Sequence, residues 1–388
     1  MGVCPNIKGM RDDIENVLTP ALVVFPAVVD RNIEQTLAGL GGDAERWRPH
    51  VKTAKLISTM RQMTAHGLRN FKCATTLELR TICEAGAGDV LVAFACWGAR
   101  ARRVAEIARE FPGVAISALV EDARNLGEWS GTGIGIFIDV NPGGNRTGIE
   151  QERVDDIVEL AGAIGDAGLV FRGLHYYDGH HRHADLSERT AAAWKGYERL
   201  MEIVAALTAA GSAPGEVVTS GTPAMPCSIS FPGFQGAPFV HRVSPGTVVY
   251  NDMSSLEQLP DWGYQPAVFV LATVISHPID GIVTCDAGHK AVSADAGIPT
   301  CTVRDWPELE PLGPSEEHLP IRVPKGAKAP KPGELLYLMP RHVCPTVNNF
   351  DEALLVADGK FTVTPVTARG RETPLGVRKR AADEHGAA

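Results

Sequence analysis

Short runs of aliphatic and β-branched residues recur along the first two-thirds of the chain. Between them lie longer stretches whose apolar positions repeat at helical spacing. The runs fall at 47–53, 70–74, 89–94, 114–119, 135–140, 170–176, 216–221 and 241–246, with amphipathic stretches such as 151–167 and 187–210 between them. About eight strands alternating with helices predict parallel βα units. Eight such units over roughly 220 residues predict a (β/α)8 barrel, with a doubly wound sheet as the alternative. The stretch 131–137, GTGIGIF, lacks the GxGxxG spacing of a dinucleotide loop and leads into a strand rather than a helix. After about residue 251 the texture changes. Runs at 268–275, 281–285, 335–339 and 353–356 read as strands without long helices, and Pro and Gly crowd 307–333 into what reads as a long loop. The expectation is an α/β protein with a barrel over 27–250. A mostly β second domain is expected from 1–26 and 251–388, with the run 21–25 pairing into it.

Composition narrows the function. The 388 residues are 44% hydrophobic and 21% charged, as in a soluble globular protein, and the net charge of −9 argues against a nucleic-acid surface. The longest apolar run, 90–96, is far short of the ~20 residues of a membrane span. The first residues, MGVCPNIKGMRDD, lack the basic-then-apolar pattern of a signal peptide. Eight scattered cysteines without a CxxC pair suit reduced thiols in a cytoplasm. A small molecule is the expected partner, with no nucleic acid and no membrane.

Four segments carry candidate chemistry. In RPHVKTAK, residues 48–55, strand alternation would turn Arg48, His50 and Lys52 to one face, with Lys52 at the strand end where barrel active sites lie. Such a cationic face calls for an anion. Neighbouring cations such as Arg48 and His50 lower a lysine's pKa and make it a carbonyl-trapping nucleophile. A basic strand end at the surface is the plainer alternative, and Lys55 competes for the role from a predicted helix start. Next, Thr219-Ser220-Gly221-Thr222-Pro223 and Ser244-Pro245-Gly246-Thr247 follow the seventh and eighth strands. Those are the loops where many barrels bind phosphate, although ordinary turns use the same residues. His342 and Cys344 would share one face of a strand. Imidazole and thiolate together suit Zn²⁺, or else form a half-buried His beside a core Cys. Finally, Tyr176-Tyr177-Asp178-Gly179-His180-His181-Arg182-His183 places a dense set of proton donors and acceptors just past the sixth strand.

Together these segments resemble the D-threonine aldolase / D-serine dehydratase family of fold-type III pyridoxal-phosphate (PLP) enzymes, from about Thr19 to Arg371. RPHVKTAK is similar to the family's RPHxKTHK cofactor-lysine motif, with Ala54 where His is usual. Asn145-Arg146-Thr147-Gly148 resembles the motif whose Arg contacts the PLP phenolate oxygen, and HVCPT its metal-binding H-x-C or H-x-D motif. Residues 285–290 and 315–318 match further family segments, with Leu319 where Gly is usual. The resemblance implies an alanine-racemase-like barrel, a β domain, and a homodimer whose active sites adjoin the subunit interface. It implies PLP held covalently by Lys52 beside His50, with Arg146 and Tyr177 at the ring. Ser220, Gly221, Thr222, Gly246 and Thr247 would hold its phosphate. His342 and Cys344 would hold a divalent metal (Zn, Mn or Mg), and His183 would be a candidate base. The implied substrates are β-hydroxy-D-amino acids. Aldolase cleavage to glycine and an aldehyde is the expected reaction, and dehydration of D-serine or D-3-hydroxyaspartate is the alternative. Racemase and non-catalytic PLP-binding readings rank below both.

Overall fold

Seven of the predicted runs form parallel strands of one sheet. In chain order, after an N-terminal strand β1 (Ala21–Val24), they are β2 (Asn70–Cys73), β3 (Asp89–Val92), β4 (Ala115–Val120), β5 (Gly135–Asn141), β6 (Phe171–Tyr176), β7 (Glu216–Thr219) and β8 (Val240–Val243). Each pairs in parallel with the next, from β2 to β8. This computed structural model describes residues 14 and 16–373.

The eighth side of the barrel differs from expectation. Residues 47–53 do not form a ladder strand. Single parallel bridges at Trp47 to Val243 and at His50 to Lys72 close the sheet between β8 and β2. Pro49 explains the interruption, since it offers a carbonyl to the Lys72 N–H (2.8 Å) but has no N–H to give back. Lys52 therefore sits in a turn immediately after the last bridge.

Arg48 also departs from its expected place. It is fully buried at the floor of the barrel and pairs with Glu216 (2.7 and 2.9 Å) and Asp89 (2.8 Å), the first residues of β7 and β3. Arg242 bonds the same Glu216. The anion that Arg48 needs is thus a pair of carboxylates at the strand N-termini.

Among the described residues, nine further strands, β1 included, form a second sheet. They include β9 (Val268–Ile279), β10 (Ile282–Cys285), β11 (Leu319–Arg322), β12 (Leu335–Pro340), β13 (Glu352–Ala357) and β14 (Lys360–Pro365). β1 lies between β9, antiparallel, and β13, parallel, so a strand that precedes the barrel is built into the sheet that follows it. The stretch 307–333 is not one loop. Glu310–Pro311 pairs with β11, and β11 with β10. These strands are short and carry Pro311 and Pro320, which hides them from a pattern search. β9 joins the two cores by strand alternation: Phe269 and Leu271 pack with the large cluster that lies between the barrel strands and their helices, while Val270, Ala272 and Val274 pack inside the β domain. Among the described residues no helix is long and apolar enough to cross a membrane.

Candidate active site

A cavity of about 280 Å³ opens at the C-terminal ends of the barrel strands. Its walls bring together His50, Lys52, Arg146, Tyr177, Gly221, Thr222, Gly246, Thr247, His342 and Cys344. Lys52 is fixed from behind, its backbone N–H donating to His50 Nδ1 at 3.2 Å. Burial, reinforced by Lys52 and Lys72, holds His50 well below its ordinary pKa, so its ring is free to accept that bond. Lys55 leaves the contest. It is buried, 2.6 Å from Glu78, and donates to the Ala368 carbonyl (3.3 Å).

Tyr177 is the hub. Arg146 Cζ lies 4.8 Å from its ring centroid, Lys72 Nζ 5.4 Å and Lys52 Nζ 5.7 Å. Two lysines and an arginine around one phenol ring give a basic mouth that suits an anionic ligand. Gly221 lets the ring approach, since a Cβ there would come within 2.9 Å of it.

The two loops after β7 and β8 fit a phosphate. Ser220 adopts φ +59°, a conformation rare outside glycine, and its buried Oγ has no hydrogen-bond partner. Ser244 Oγ, on the neighbouring loop, is buried and unpartnered as well. Orphaned buried hydroxyls call for a partner; Ser244 lines the cavity, where an anion would supply one, and Ser220 precedes the cavity-lining Gly221. Gly246 holds its loop against the barrel wall, where a Cβ would meet the His50 carbonyl oxygen at 2.2 Å.

His342 and Cys344 converge, but not on a strand. β12 stops at Pro340, and His342 caps the helix Val343–Asn348, with Cys344 in its first turn. Pro340 at the strand end and Pro345 early in the helix account for the change, because Pro starts helices well. Cys344 Sγ lies 2.9 Å from Thr53 Oγ1 and 3.6 Å from Thr247 Oγ1. His342 Nδ1 is 2.7 Å from Asp295. Burial opposes a thiolate at Cys344, yet His342 and Lys52 outweigh it and lower the thiol's pKa. Burial likewise opposes a charged imidazole, while Cys344 and Asp295 lift His342 to about 9. A thiolate beside an imidazole is a donor pair for a borderline-soft divalent metal. Among the described residues, no group of three or more His, Cys, Asp or Glu is placed to hold a metal ion. The pair can therefore supply only part of a coordination shell.

The structure also shows what sequence reasoning passed over. Lys72 is 1% exposed. Its Nζ is 3.1 Å from His175 Nε2, and His175 Nδ1 is 2.6 Å from Asp139. Burial and the charge of Lys52 push Lys72 down to about 7. Behind Tyr177, burial lifts Asp178 to about 6, although its carboxylate accepts from Tyr197 Oη at 2.5 Å. A lone charge between apolar neighbours (Phe71-Lys72-Cys73, Ile138-Asp139-Val140) was the available signal.

His183 is exposed and lines neither this cavity nor the adjoining one of about 160 Å³. From that loop His180 and Arg182 face the smaller cavity, beside Arg146 and Tyr177. Residues 285–290 and 315–318 meet each other outside the cavity walls, through His289 N–H to Ser315 O (2.9 Å) and Lys290 Nζ to Glu317 (2.7 Å). Asp286 accepts from Thr19 Oγ1 and from the Thr273 N–H.

Residues 27–253 match the family described as "Alanine racemase, N-terminal domain", and residues 267–356 match the "Putative serine dehydratase domain". A 3-hydroxy-D-aspartate aldolase of Paracoccus denitrificans (strain Pd 1222) is 29% identical over 95% of each chain. A D-threonine aldolase of Arthrobacter sp. is 28% identical over 92% of this chain and 94% of its own. A D-threo-3-hydroxyaspartate dehydratase of Delftia sp. (strain HT23) is 26% identical over 90% and 97%. The crystal structure of D-threonine aldolase from Filomicrobium marinum superposes with a TM-score of 0.82, at 29% identity over 92% of this chain and 97% of its own.

Proposed function

We propose that this chain, which belongs to the alanine racemase N-terminal domain family and within it to the D-threonine aldolase / D-serine dehydratase group, is a PLP- and divalent-metal-dependent lyase of β-hydroxy-D-amino acids. The observation that carries the reading is the single cavity shared by Lys52, the loops bearing the orphaned Ser220 and Ser244 hydroxyls, and the His342–Cys344 pair. The reaction is retro-aldol cleavage to glycine and an aldehyde, a reading supported by the name aldolase on two of the three relatives above.

When bound, PLP supplies an electron sink at Cα, and a divalent metal supplies a Lewis acid for the β-hydroxyl. The chain's own groups do the rest. Lys52 is the amine at the strand-end cavity that holds the cofactor. Ser220, Gly221, Thr222, Gly246 and Thr247 orient its phosphate, while Tyr177, Arg146 and His50 fix the ring. His342 and Cys344 hold the metal, with water or substrate completing the shell. The proton acceptor for the β-hydroxyl comes from the loop after β6. His183 has that role by the resemblance and His180 by its place in the wall, and comparing His180→Gln with His183→Gln separates them. The same reading divides the chain into a barrel over 27–250 and a β domain from 1–26 and 251–388, of which residues 1–13, 15 and 374–388 lie outside the described residues. It places a homodimer in the cytoplasm.

Product analysis tests the assignment. The holoenzyme should release acetaldehyde and glycine from D-threonine, whereas pyruvate and ammonia from D-serine would instead establish the dehydratase. Borohydride should fix the cofactor to Lys52 in the wild type and leave no adduct in Lys52→Ala.

A further inference from the structure

Which nitrogen of His342 a metal could use is decided by a residue outside the cavity wall. Asp295 Oδ2 lies 2.7 Å from His342 Nδ1. A carboxylate only accepts, so Nδ1 carries the proton of that bond, and Nε2 is the nitrogen left to offer a lone pair. The other carboxylate near the pair, Asp252, serves the helix instead. It accepts from the backbone N–H groups of Val343 (3.0 Å) and Ser255 (2.8 Å).

Asp295 stands on an exposed loop, where an ion pair is ordinarily worth little. This loop, however, is fastened on both sides of it. Upstream, the Ser293 N–H donates to Thr346 Oγ1 (3.2 Å), and Thr346 Oγ1 donates to the His342 carbonyl (2.9 Å). Downstream, the Thr300 carbonyl accepts from the Arg341 N–H and the Pro299 carbonyl from Arg341 Nε, both at 2.7 Å. The loop is thus tied to the residue before His342 and to the helix after it. Ser293 Oγ also donates to Asp295 Oδ1 at 2.8 Å. One carboxylate oxygen is held by the loop and the other by the ring, so little freedom is left to lose in forming the pair. Ala296, next in the chain, lines the cavity with His342 and Cys344, which brings the loop to the edge of the site.

We propose that Asp295 is a positioning residue for the metal: it fixes the tautomer and ring orientation of His342, so that Nε2 is the donor while Asp295 itself stays outside the coordination shell. This rests on the metal reading of His342 and Cys344 given above. It agrees with the lack, among the described residues, of any three-ligand group. A carboxylate behind a metal-binding imidazole orients the ring and raises its basicity, and losing it costs about 10- to 100-fold in metal affinity.

The test uses the PLP-loaded protein stripped of metal. It is titrated with Zn²⁺ by calorimetry and with Co²⁺ by absorption, whose bands report the atoms that bind the ion. Wild type should show a thiolate-to-Co²⁺ band that Cys344→Ala removes. Asp295→Ala should weaken Zn²⁺ binding about 10- to 100-fold. It should leave the Co²⁺ bands in place, because the donor atoms are unchanged. Asp295→Asn keeps the shape and an acceptor for Nδ1 but not the charge, so it should retain part of the affinity. Asp295 is exposed, and an unchanged cofactor absorption spectrum checks that each variant is folded and loaded. A Zn²⁺ affinity in Asp295→Ala within about tenfold of wild type reduces the contact to a surface ion pair and overturns the proposal. Co²⁺ bands that shift in Asp295→Ala make Asp295 a ligand and overturn it as well. In either case the metal reading of His342 and Cys344 stands. A wild type without the thiolate band brings down that reading and the proposal with it.

Discussion

Ser220 combines two unfavourable features that an anion would offset. A non-glycine residue at φ +59° is strained by roughly 1–3 kcal/mol, and a buried hydroxyl without a partner adds a desolvation cost. Ser220→Gly should therefore separate folding from binding. The apo protein should gain about 1 kcal/mol in denaturant unfolding, because glycine adopts this conformation without penalty. PLP affinity, followed by fluorescence titration, should fall several-fold as the hydroxyl is lost. Reduced affinity with no gain in apo stability would mean that the backbone is not strained there. Lys72 makes a second residue-scale prediction. Its folded value is about 7 against an ordinary 10.5. Between those limits the unfolded chain binds more protons than the folded one, so stability rises with pH across the window. The cost is fully present below the folded value and gone above the unfolded one, falling by about 1.4 kcal/mol for each pH step between them. Lys72→Met should accordingly melt higher than wild type near about pH 6, with the difference shrinking toward about pH 10. A difference in Tm that stays constant over that range would place the Lys72 proton elsewhere.

At the scale of elements, one segment does two jobs at opposite ends of the barrel. Residues 47–50 close the sheet, bury Arg48 among carboxylates at the floor and deliver Lys52 to the mouth. Strand alternation read from sequence turned Arg48 and Lys52 to one face, but the two sit at different depths, Arg48 among the carboxylates at the floor and Lys52 at the cavity. Pro49 breaks the ladder, and more than two residues of chain separate floor from mouth. Arg48→Met should leave Glu216 to Arg242 and Asp89 to Arg172. Breaking such a buried network costs about 3 kcal/mol in urea unfolding. Cofactor affinity should stay within about twofold, since Arg48 does not line the cavity. The seven ladder strands were legible because β-branched runs bounded by turn residues announce them. The helix Val343–Asn348 was not, because six residues cannot display a helical period, and Val343 with its apolar neighbours reads equally as a strand. His342 and Cys344 were still found together, because a helix cap and its first turn bring residues two apart as close as a strand face does. Lys72, His175 and Asp139 were missed for the opposite reason. Each sits alone on a separate strand, and only the closed barrel makes them neighbours.

For the whole molecule, the division of labour follows from which sheet each ligand set hangs on. The cofactor groups, from Lys52 to Thr247, all stand on barrel strands or the loops after them. The metal pair stands on the helix after β12, beyond the last barrel strand by about a hundred residues. The two sets meet because β1 and β9 fasten the second sheet to the barrel core, and Thr53 and Thr247 reach Cys344 across the join. On the proposed function, turnover would depend on the docking of these two units, with the cofactor groups on one and the proposed metal pair on the other. Chelation of the holoenzyme should abolish β-hydroxy amino acid cleavage while leaving the visible cofactor absorption and the borohydride adduct at Lys52 in place. Zn²⁺ or Mn²⁺ should restore turnover. His342→Ala and Cys344→Ala should behave like the chelated enzyme, lowering kcat/KM by roughly 10²-fold or more, as expected when a Lewis acid worth several kcal/mol is lost. The readout that decides is the pairing of the two signals. If chelation removes cofactor and turnover together, the metal holds the fold of the mouth rather than the substrate hydroxyl. If neither signal changes, His342 and Cys344 are a half-buried His beside a buried Cys, and the proton acceptor on the loop after β6 must act on an unaided hydroxyl.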